Sequence, residues 1–126
     1  MNAIEVITLF VEDLASTRLF YQDVFRRPVV YEDDVSTVLK FDNLLVNLLQ
    51  ADQAPELVTP GQVAPPGGSR ALLTIAVDDV DATCRELAAR GARLLNGPQD
   101  RPWGRRTAAF ADPAGHVWEI AQDLPG

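Results

Sequence analysis

Few side chains in this sequence could combine to carry out catalysis or bind a metal ion. His116 is the only histidine and Cys84 the only cysteine among the 126 residues. A metal site made of two histidines and a carboxylate therefore cannot come from one copy of the chain. A Ser-His-Asp triad could use only His116, and nothing near His116 in the sequence supports one. No glycine-rich phosphate-binding loop is present.

Glu119 is the acidic residue whose neighbours point most clearly to a function. The run around it alternates, so Val117, Glu119 and Ala121 share one face of a predicted strand. A carboxylate beside apolar neighbours is costly unless it is paired or protonated. Glu119 could therefore anchor a cationic or hydrogen-bonding ligand, or act as a general base. The alternative is a carboxylate paired internally, with Asn47 or an arginine.

The first half of the chain predicts the elements β-α-β-β-β. Ile4 to Val11 is apolar on both faces, as a central strand is, and Glu12-Asp13 can cap a helix. The helix has an apolar stripe and ends before Pro28. Three short extended runs follow. The stripe is Thr17, Phe20, Tyr21 and Val24, and the three runs are Val29 to Tyr31, Ser36 to Phe41 and Leu44 to Leu49.

The same order of elements returns in the second half, after a segment rich in proline and glycine. We predict one domain over residues 1–126, with module one at 1–50, a linker at 51–69 and module two at 70–126. The second helix has an apolar stripe that includes Cys84, which we interpret as a small buried residue, and Gly91 caps its end. Its strands are predicted at Ala71 to Val77, Ala92 to Leu95, Thr107 to Ala111 and Val117 to Ala121.

Composition and charge exclude several classes of partner. The chain is 47% hydrophobic and 23% charged, which suits a folded domain. Its net charge of -7 argues against binding to nucleic acid or to anionic membranes. No apolar run is long enough for a membrane span, and the first residues lack the features of a secretory signal. With one cysteine and no internal disulfide, we expect a cytoplasmic protein.

Three segments, in this order within a duplicated pattern, resemble the vicinal-oxygen-chelate superfamily, which includes glyoxalases, bleomycin-resistance proteins and dioxygenases. The resemblance covers nearly the whole chain. It implies an α+β fold in which two βαβββ modules form an incomplete β-barrel around a cleft, with helices outside. The glycine that often follows the first helix in similar chains is replaced by Arg26. The segments are residues 9–14 (LFVEDL), 20–25 (FYQDVF) and 110–120 (FADPAGHVWEI).

The resemblance also implies which positions would hold a metal ion. Metal-dependent members take ligands from the first and last strand of each module, and the corresponding residues here are Val6, Asn47, Leu72 and Glu119. Only Glu119 is a good ligand, because Asn47 offers a weak neutral oxygen and Val6 and Leu72 offer none. Glu5 would point to the other face. We therefore predict no metal ion and no cofactor.

An aromatic side chain and several arginines are candidates for contact with a ligand. Arg101 to Arg106 resembles the Pro-Trp-Gly stretch of drug-binding members, in which an aromatic side chain at the mouth of the cleft stacks on a flat ligand. The alternative is that Trp103 packs on the edge of the sheet among solvated arginines. Arg101, Arg105 and Arg106 could attract a carboxylate or stack on aromatic rings. The predicted ligand-binding residues are Thr8, Phe10, Asn47, Trp103, Arg105 and Glu119, with Leu45 on the same face as Phe10.

Three functions follow as hypotheses. The first is a metal-independent binding protein of the bleomycin-resistance type, which sequesters an apolar or aromatic compound, an antibiotic being one candidate. The second is a lyase, isomerase or dioxygenase that uses Glu119 as its catalytic residue, with an atypical metal site or with no metal. The third is a domain that acts through protein contacts. The resemblance also implies a homodimer, in which two chains could complete the cleft.

Overall fold

The computed structural model describes all 126 residues. They form two compact units, Met1–Pro66 and Gly67–Gly126, and the boundary between them falls inside the predicted linker. Each unit contains one open four-stranded sheet and repeats the order β-α-β-β-β. The predicted α+β fold and its duplication are confirmed. Whether the two modules act as one domain stays a prediction.

The first unit begins with strand β1 (Val6–Val11) and helix α1 (Leu14–Val24). Strands β2 (Val29–Glu32), β3 (Ser36–Lys40) and β4 (Leu45–Gln50) follow. The order in the sheet is β1-β4-β3-β2, with β1 parallel to β4 and the other neighbours antiparallel. One face of the sheet packs against α1. The buried residues there include Leu9, Val11, Tyr21, Val24, Leu39 and Leu48, so the prediction that Tyr21 belongs to the core is confirmed.

The predicted linker is more ordered than its composition indicates. A 3-10 turn at Ala51–Gln53 is followed by the short helix α2 (Pro55–Val58), which has a proline in its first turn. Proline is well tolerated there because the first N–H groups of a helix have no partner within the helix. The predicted linker thus contains two short helical segments.

The second unit contains β5 (Leu72–Ala76), helix α3 (Val80–Ala89), β6 (Leu94–Arg101), β7 (Arg105–Ala111) and β8 (Val117–Asp123). Its sheet has the order β5-β8-β7-β6, with β5 parallel to β8. Helix α3 packs against β6, β7 and β8. The core includes Val80, Cys84, Leu87, Phe110, Trp118 and Ile120, which confirms the prediction that Cys84 and Trp118 are buried.

The ends of both long helices agree with the sequence patterns. The side chain of Asp13 accepts a hydrogen bond from the backbone N of Ser16, and Asp79 does the same for Ala82. After α3, Gly91 adopts a left-handed conformation with φ +95. After α1 the left-handed conformation is adopted by Arg26, with φ 55. This is the position at which the resemblance led us to expect a glycine.

Strand β6 is much longer than the predicted run from Ala92 to Leu95. It continues through Gly97 and Pro98 to Arg101, although these residues usually interrupt a strand. The reason is its place at the edge of the sheet, where its pairing with β7 shifts register twice, between Leu94 and Asn96 and again between Asn96 and Gln99. An edge strand with bulges tolerates a residue that has no N–H. No helix in the structure combines the length and the hydropathy needed to cross a bilayer.

Candidate functional site

Glu119 lies on β8 directly opposite Thr74 of the parallel strand β5. The Thr74 hydroxyl donates a hydrogen bond of 3.0 Å to Oε1 of Glu119. The Glu119 side chain is half-buried, and no basic side chain forms an ion pair with it. Internal pairing with Asn47 or an arginine was the alternative interpretation of this residue, and the internal partner observed is Thr74. The Glu119 carboxylate keeps most of its capacity to accept hydrogen bonds.

Asn47 occupies the equivalent place in the first unit. It lies on β4 directly opposite Thr8 of the parallel strand β1. Its Nδ2 atom donates to the Thr8 hydroxyl at 3.5 Å, which is a weak hydrogen bond. Its Oδ1 atom is buried and has no hydrogen-bond partner. Each unit therefore carries one polar pair at the same position, Thr8 with Asn47 and Thr74 with Glu119, and each pair has unused hydrogen-bonding capacity.

The Asn47 face of the first sheet also carries the other predicted residues of this unit. Side chains two residues apart on a strand share a face, which places Thr8 beside Phe10, and Asn47 beside Leu45. On β3, Val38 lies opposite Asn47. All five are half-buried, in contrast to the fully buried residues on the α1 side. Val6, which the resemblance alone assigns to a metal-ligand position, lies opposite Leu45.

Trp103 lies in the tight turn between β6 and β7, and 66% of its surface is exposed. The indole is thus not buried against the edge of the sheet, which was the alternative to a role in stacking. Arg105 follows as the first residue of β7, and its Nε atom lies 3.2 Å from Oδ1 of Asp123 without aligning for a hydrogen bond. Its Nη2 atom donates to the backbone O of Ala121.

Arg106 is held by two carboxylates of the same unit. Its Nε atom lies 2.7 Å from Asp100 and its Nη1 atom 3.0 Å from Asp81 on α3. The hydrogen bond with Asp100 is the main reason why the pKa of Arg106 is raised, and the same bond lowers the pKa of Asp100. Arg106 therefore ties α3 to the hairpin of β6 and β7, and its charge is neutralised.

Arg101 differs from the two arginines that follow it. Its Nε atom donates to the hydroxyl of Thr107 at 2.9 Å, and its Nη2 atom donates to Oδ1 of Asn96 at 3.2 Å. Both partners are neutral, and no carboxylate forms an ion pair with it. The sequence showed three arginines around Trp103, and only the side-chain contacts separate this one from the others.

The remaining reactive side chains have structural surroundings. His116 belongs to the turn before β8, where its backbone N donates to Asp112 Oδ1 at 2.9 Å, and this agrees with its interpretation as a turn residue. Burial is the main cause of a raised pKa of the Cys84 thiol, and Asp81 adds to it. The thiolate needed for nucleophilic attack is thus disfavoured. No three His, Cys, Asp or Glu side chains converge in a way that could hold a metal ion.

An open cavity of about 500 Å³ lies beside the start of α1 in the first unit. Four carboxylates contribute to its wall, and none of the predicted site residues does. Gln50, which also contributes, already accepts from the backbone N of Leu14 and donates to the backbone O of Glu12. The lining residues are Glu12, Asp13, Leu14, Ala15, Arg18, Asp33, Asp34 and Gln50.

Comparisons with known proteins agree with this architecture. The Bacillus subtilis protein YraH is 32% identical over 123 residues, a match that spans 94% of this chain and 96% of YraH. A glyoxalase/bleomycin resistance protein/dioxygenase from Nocardioides superimposes with a TM-score of 0.88 at 22% identity, covering 100% of this chain and 86% of that one. A glyoxalase-related enzyme from Fulvimarina pelagi superimposes with a TM-score of 0.83 at 26% identity, with coverage of 98% and 89%.

A family model matches nearly the entire chain, from residue 3 to residue 120. The match includes both βαβββ repeats and the strands that carry Asn47 and Glu119. The chain belongs to the Glyoxalase/Bleomycin resistance protein/Dioxygenase superfamily.

Proposed function

We propose that this protein binds a small apolar or aromatic compound without a metal ion, in the manner of the bleomycin-resistance members of its superfamily. The observation that carries the proposal is the repeated polar pair. Thr8 with Asn47, and Thr74 with Glu119, lie on half-exposed faces of the two sheets and retain unused hydrogen-bonding capacity. Binding sites commonly combine apolar walls with a few such polar groups.

The Asn47 oxygen gives this proposal an energetic basis. A buried oxygen without a hydrogen bond costs about 1–3 kcal/mol, and a ligand that donates to it would remove that cost. Phe10, Leu45 and Val38 on the same face offer apolar contact. The exposed indole of Trp103 offers a surface for stacking on a flat ligand, as the resemblance implies.

The residues at the positions that the resemblance assigns to metal ligands support a metal-independent function. By the resemblance, Val6 and Leu72 stand in place of the histidines or glutamines of metal-dependent members. No cluster of three potential ligands exists within the chain. Glu119 and Asn47 together give one anionic oxygen ligand and one weak neutral one. A divalent cation needs more and stronger donors than these.

Elemental analysis of untagged protein, purified without chelators, tests the metal-independent part. We expect no stoichiometric metal, either as purified or after addition of nickel, zinc, manganese or ferrous iron. A near-stoichiometric divalent metal would contradict the proposal. It would mean that Glu119 has ligand partners from a second chain.

A binding screen tests the rest. Planar aromatic compounds are titrated into the protein in excess EDTA, and binding is followed by calorimetry. Compounds that bind are measured again with Asn47→Ala, Glu119→Gln and Trp103→Ala, and with Asp78→Asn as a matched control that removes an exposed carboxylate of the second unit. We expect at least one of the first three variants to bind roughly tenfold more weakly, the size of one lost hydrogen bond, and the control to bind normally. Binding that requires added metal, or that none of the three changes, would contradict the proposal.

Metal-free catalysis by Glu119 is the second candidate function. It is favoured by the absence of a cation beside the carboxylate, which leaves Glu119 free to accept a proton from a bound substrate. Turnover of any compound found in the screen would bring this candidate forward. Full turnover by Glu119→Gln would then exclude Glu119 from the mechanism.

Two further properties stay predictions. We propose a homodimer, on the basis of the resemblance alone, and a mass by light scattering equal to one chain would contradict it. We also propose a cytoplasmic location and no nucleic-acid partner, on the basis of the single cysteine and the net charge of -7.

A further inference from the structure

We infer that the ligand is a small zwitterion, whose carboxylate is held by Arg101 and whose amine is held by Glu119, on one face of the second sheet. This inference rests on the proposed binding function and adds to it the chemical class of the ligand. It is drawn from two opposite charges on the same face that have no ion-pair partner and do not pair with each other.

Arg101 is oriented as a receptor for an anion. Two hydrogen bonds, to Thr107 and to Asn96, fix the plane of its guanidinium. They use two of its five N–H donors, and both partners are neutral. A guanidinium held in this way presents its remaining donors in a fixed fork, the arrangement that recognises a carboxylate through two parallel hydrogen bonds. Its neighbours Arg105 and Arg106 are already paired with carboxylates.

The strand register places Arg101 near Glu119. Thr107 and Ala109 are two residues apart on β7 and therefore share a face. Ala109 lies opposite Glu119 on β8, and the Thr107 hydroxyl contacts Arg101. The hydroxyl that holds the guanidinium is thus on the strand next to Glu119, and it is offset from Glu119 by one same-face position, about 7 Å along the strand.

The same-face positions of β7 and β8 between the two charges are Thr107, Ala109 and Ala121. Their side chains are short, and all three residues are buried. Glu119 and Arg101 nevertheless do not form an ion pair, because each is turned to a neutral partner, Thr74 for the first and Thr107 for the second. A molecule whose amine and carboxylate span the separation between these groups would pair with both at once.

Two matched series of small molecules test this inference. The first contains 4-(aminomethyl)benzoate, benzylamine and 4-methylbenzoate, and the second contains L-phenylalanine, phenethylamine and 3-phenylpropanoate. Affinities are measured by calorimetry at low salt with wild-type protein, Arg101→Gln, Arg101→Lys and Glu119→Gln. Arg93→Gln is the matched control, because it removes an exposed arginine of the same unit that has no ion pair.

We expect a zwitterion to bind more tightly than both of its singly charged analogues, by about 10- to 100-fold for each charge-assisted hydrogen-bonded group. Arg101→Gln should weaken the zwitterion and the carboxylate but leave the amine unchanged, and Glu119→Gln should do the reverse. Arg101→Lys should restore part of the affinity, since it keeps the charge and loses the fork. The pattern across ligands distinguishes a lost contact from misfolding, which would weaken all compounds alike.

The inference is overturned if the singly charged analogues bind as tightly as the zwitterions, or if Arg101→Gln changes no affinity. It is also overturned if none of the six compounds binds while neutral aromatic compounds do. In that case the proposed binding function stands, and only the zwitterionic class fails. If neither the zwitterions nor the planar aromatic panel binds, the proposed function fails as well.

Discussion

The side chain of Gln122 accepts a hydrogen bond of 2.7 Å from the backbone N of Val80. Gln122 lies near the end of β8, and Val80 is the first residue of α3, so the contact holds the start of the helix against an inner strand of its sheet. Gln50 does the same for Leu14 in the first unit, at 3.1 Å. The two units therefore repeat this polar contact as well. In the second unit the contact positions β8, the strand that carries Glu119.

Replacing Gln122 by alanine should destabilise the protein by about 1–3 kcal/mol. Val80 is fully buried, and its N–H is one of those that have no partner inside the helix, so the substitution leaves a donor unsatisfied. Urea denaturation measures the effect. Gln22→Ala on the exposed side of α1 is the control and should change stability by less than about 0.5 kcal/mol. Equal effects of the two substitutions would contradict this role.

Gly97 should tolerate no side chain. Its φ is +87, and a Cβ atom would meet the backbone O of Thr107 and would lie 2.8 Å from Cα of Ala108. Gly97→Ala should therefore cost more than the roughly 1–2 kcal/mol of a left-handed residue alone. Gly115→Ala is the matched control, since Gly115 has φ +93 and open space around its Cα. Equal losses in thermal denaturation would refute the steric part of the explanation.

Asp33 should titrate well below an ordinary aspartate. The Tyr31 hydroxyl, followed by the backbone N of Val35, lowers the pKa of Asp33 to about 2. Because the folded-state pKa is below the unfolded value of 3.8, the stabilising effect is present above pH 3.8 and is lost as the pH falls towards 2. The stability difference between wild type and Asp33→Asn should shrink over that window. Carboxyl NMR giving a midpoint near 3.8 would contradict this prediction.

The two tryptophans should respond in opposite ways to truncation. Trp118 is 4% exposed and Trp103 is 66% exposed. Trp118→Ala should therefore cost about 3–5 kcal/mol, and Trp103→Ala less than about 0.5 kcal/mol. Urea denaturation of both variants checks this. A large loss of stability in Trp103→Ala would show that the indole packs on the sheet, and its role in stacking on a ligand would then need another basis.

The sequence by itself determined the duplicated β-α-β-β-β order, the capping aspartates Asp13 and Asp79, and the buried positions of Tyr21, Cys84 and Trp118. These features depend on the spacing of apolar residues and on local backbone hydrogen bonds, which neighbouring residues in the chain specify. The absence of two histidines also followed directly from the composition. The length of β6 did not follow, because only its place at the edge of the sheet explains why Gly97 and Pro98 are tolerated.

Only the tertiary structure decided which polar groups meet. Thr8 and Asn47 are 39 residues apart and Thr74 and Glu119 are 45 apart, and strand register alone brings each pair together. The three arginines near Trp103 are alike in the sequence, yet Arg105 and Arg106 have carboxylate partners and Arg101 has neutral ones. Hydrogen bonds and ion pairs depend on distances of a few tenths of an ångström, and the packing of distant segments sets those distances.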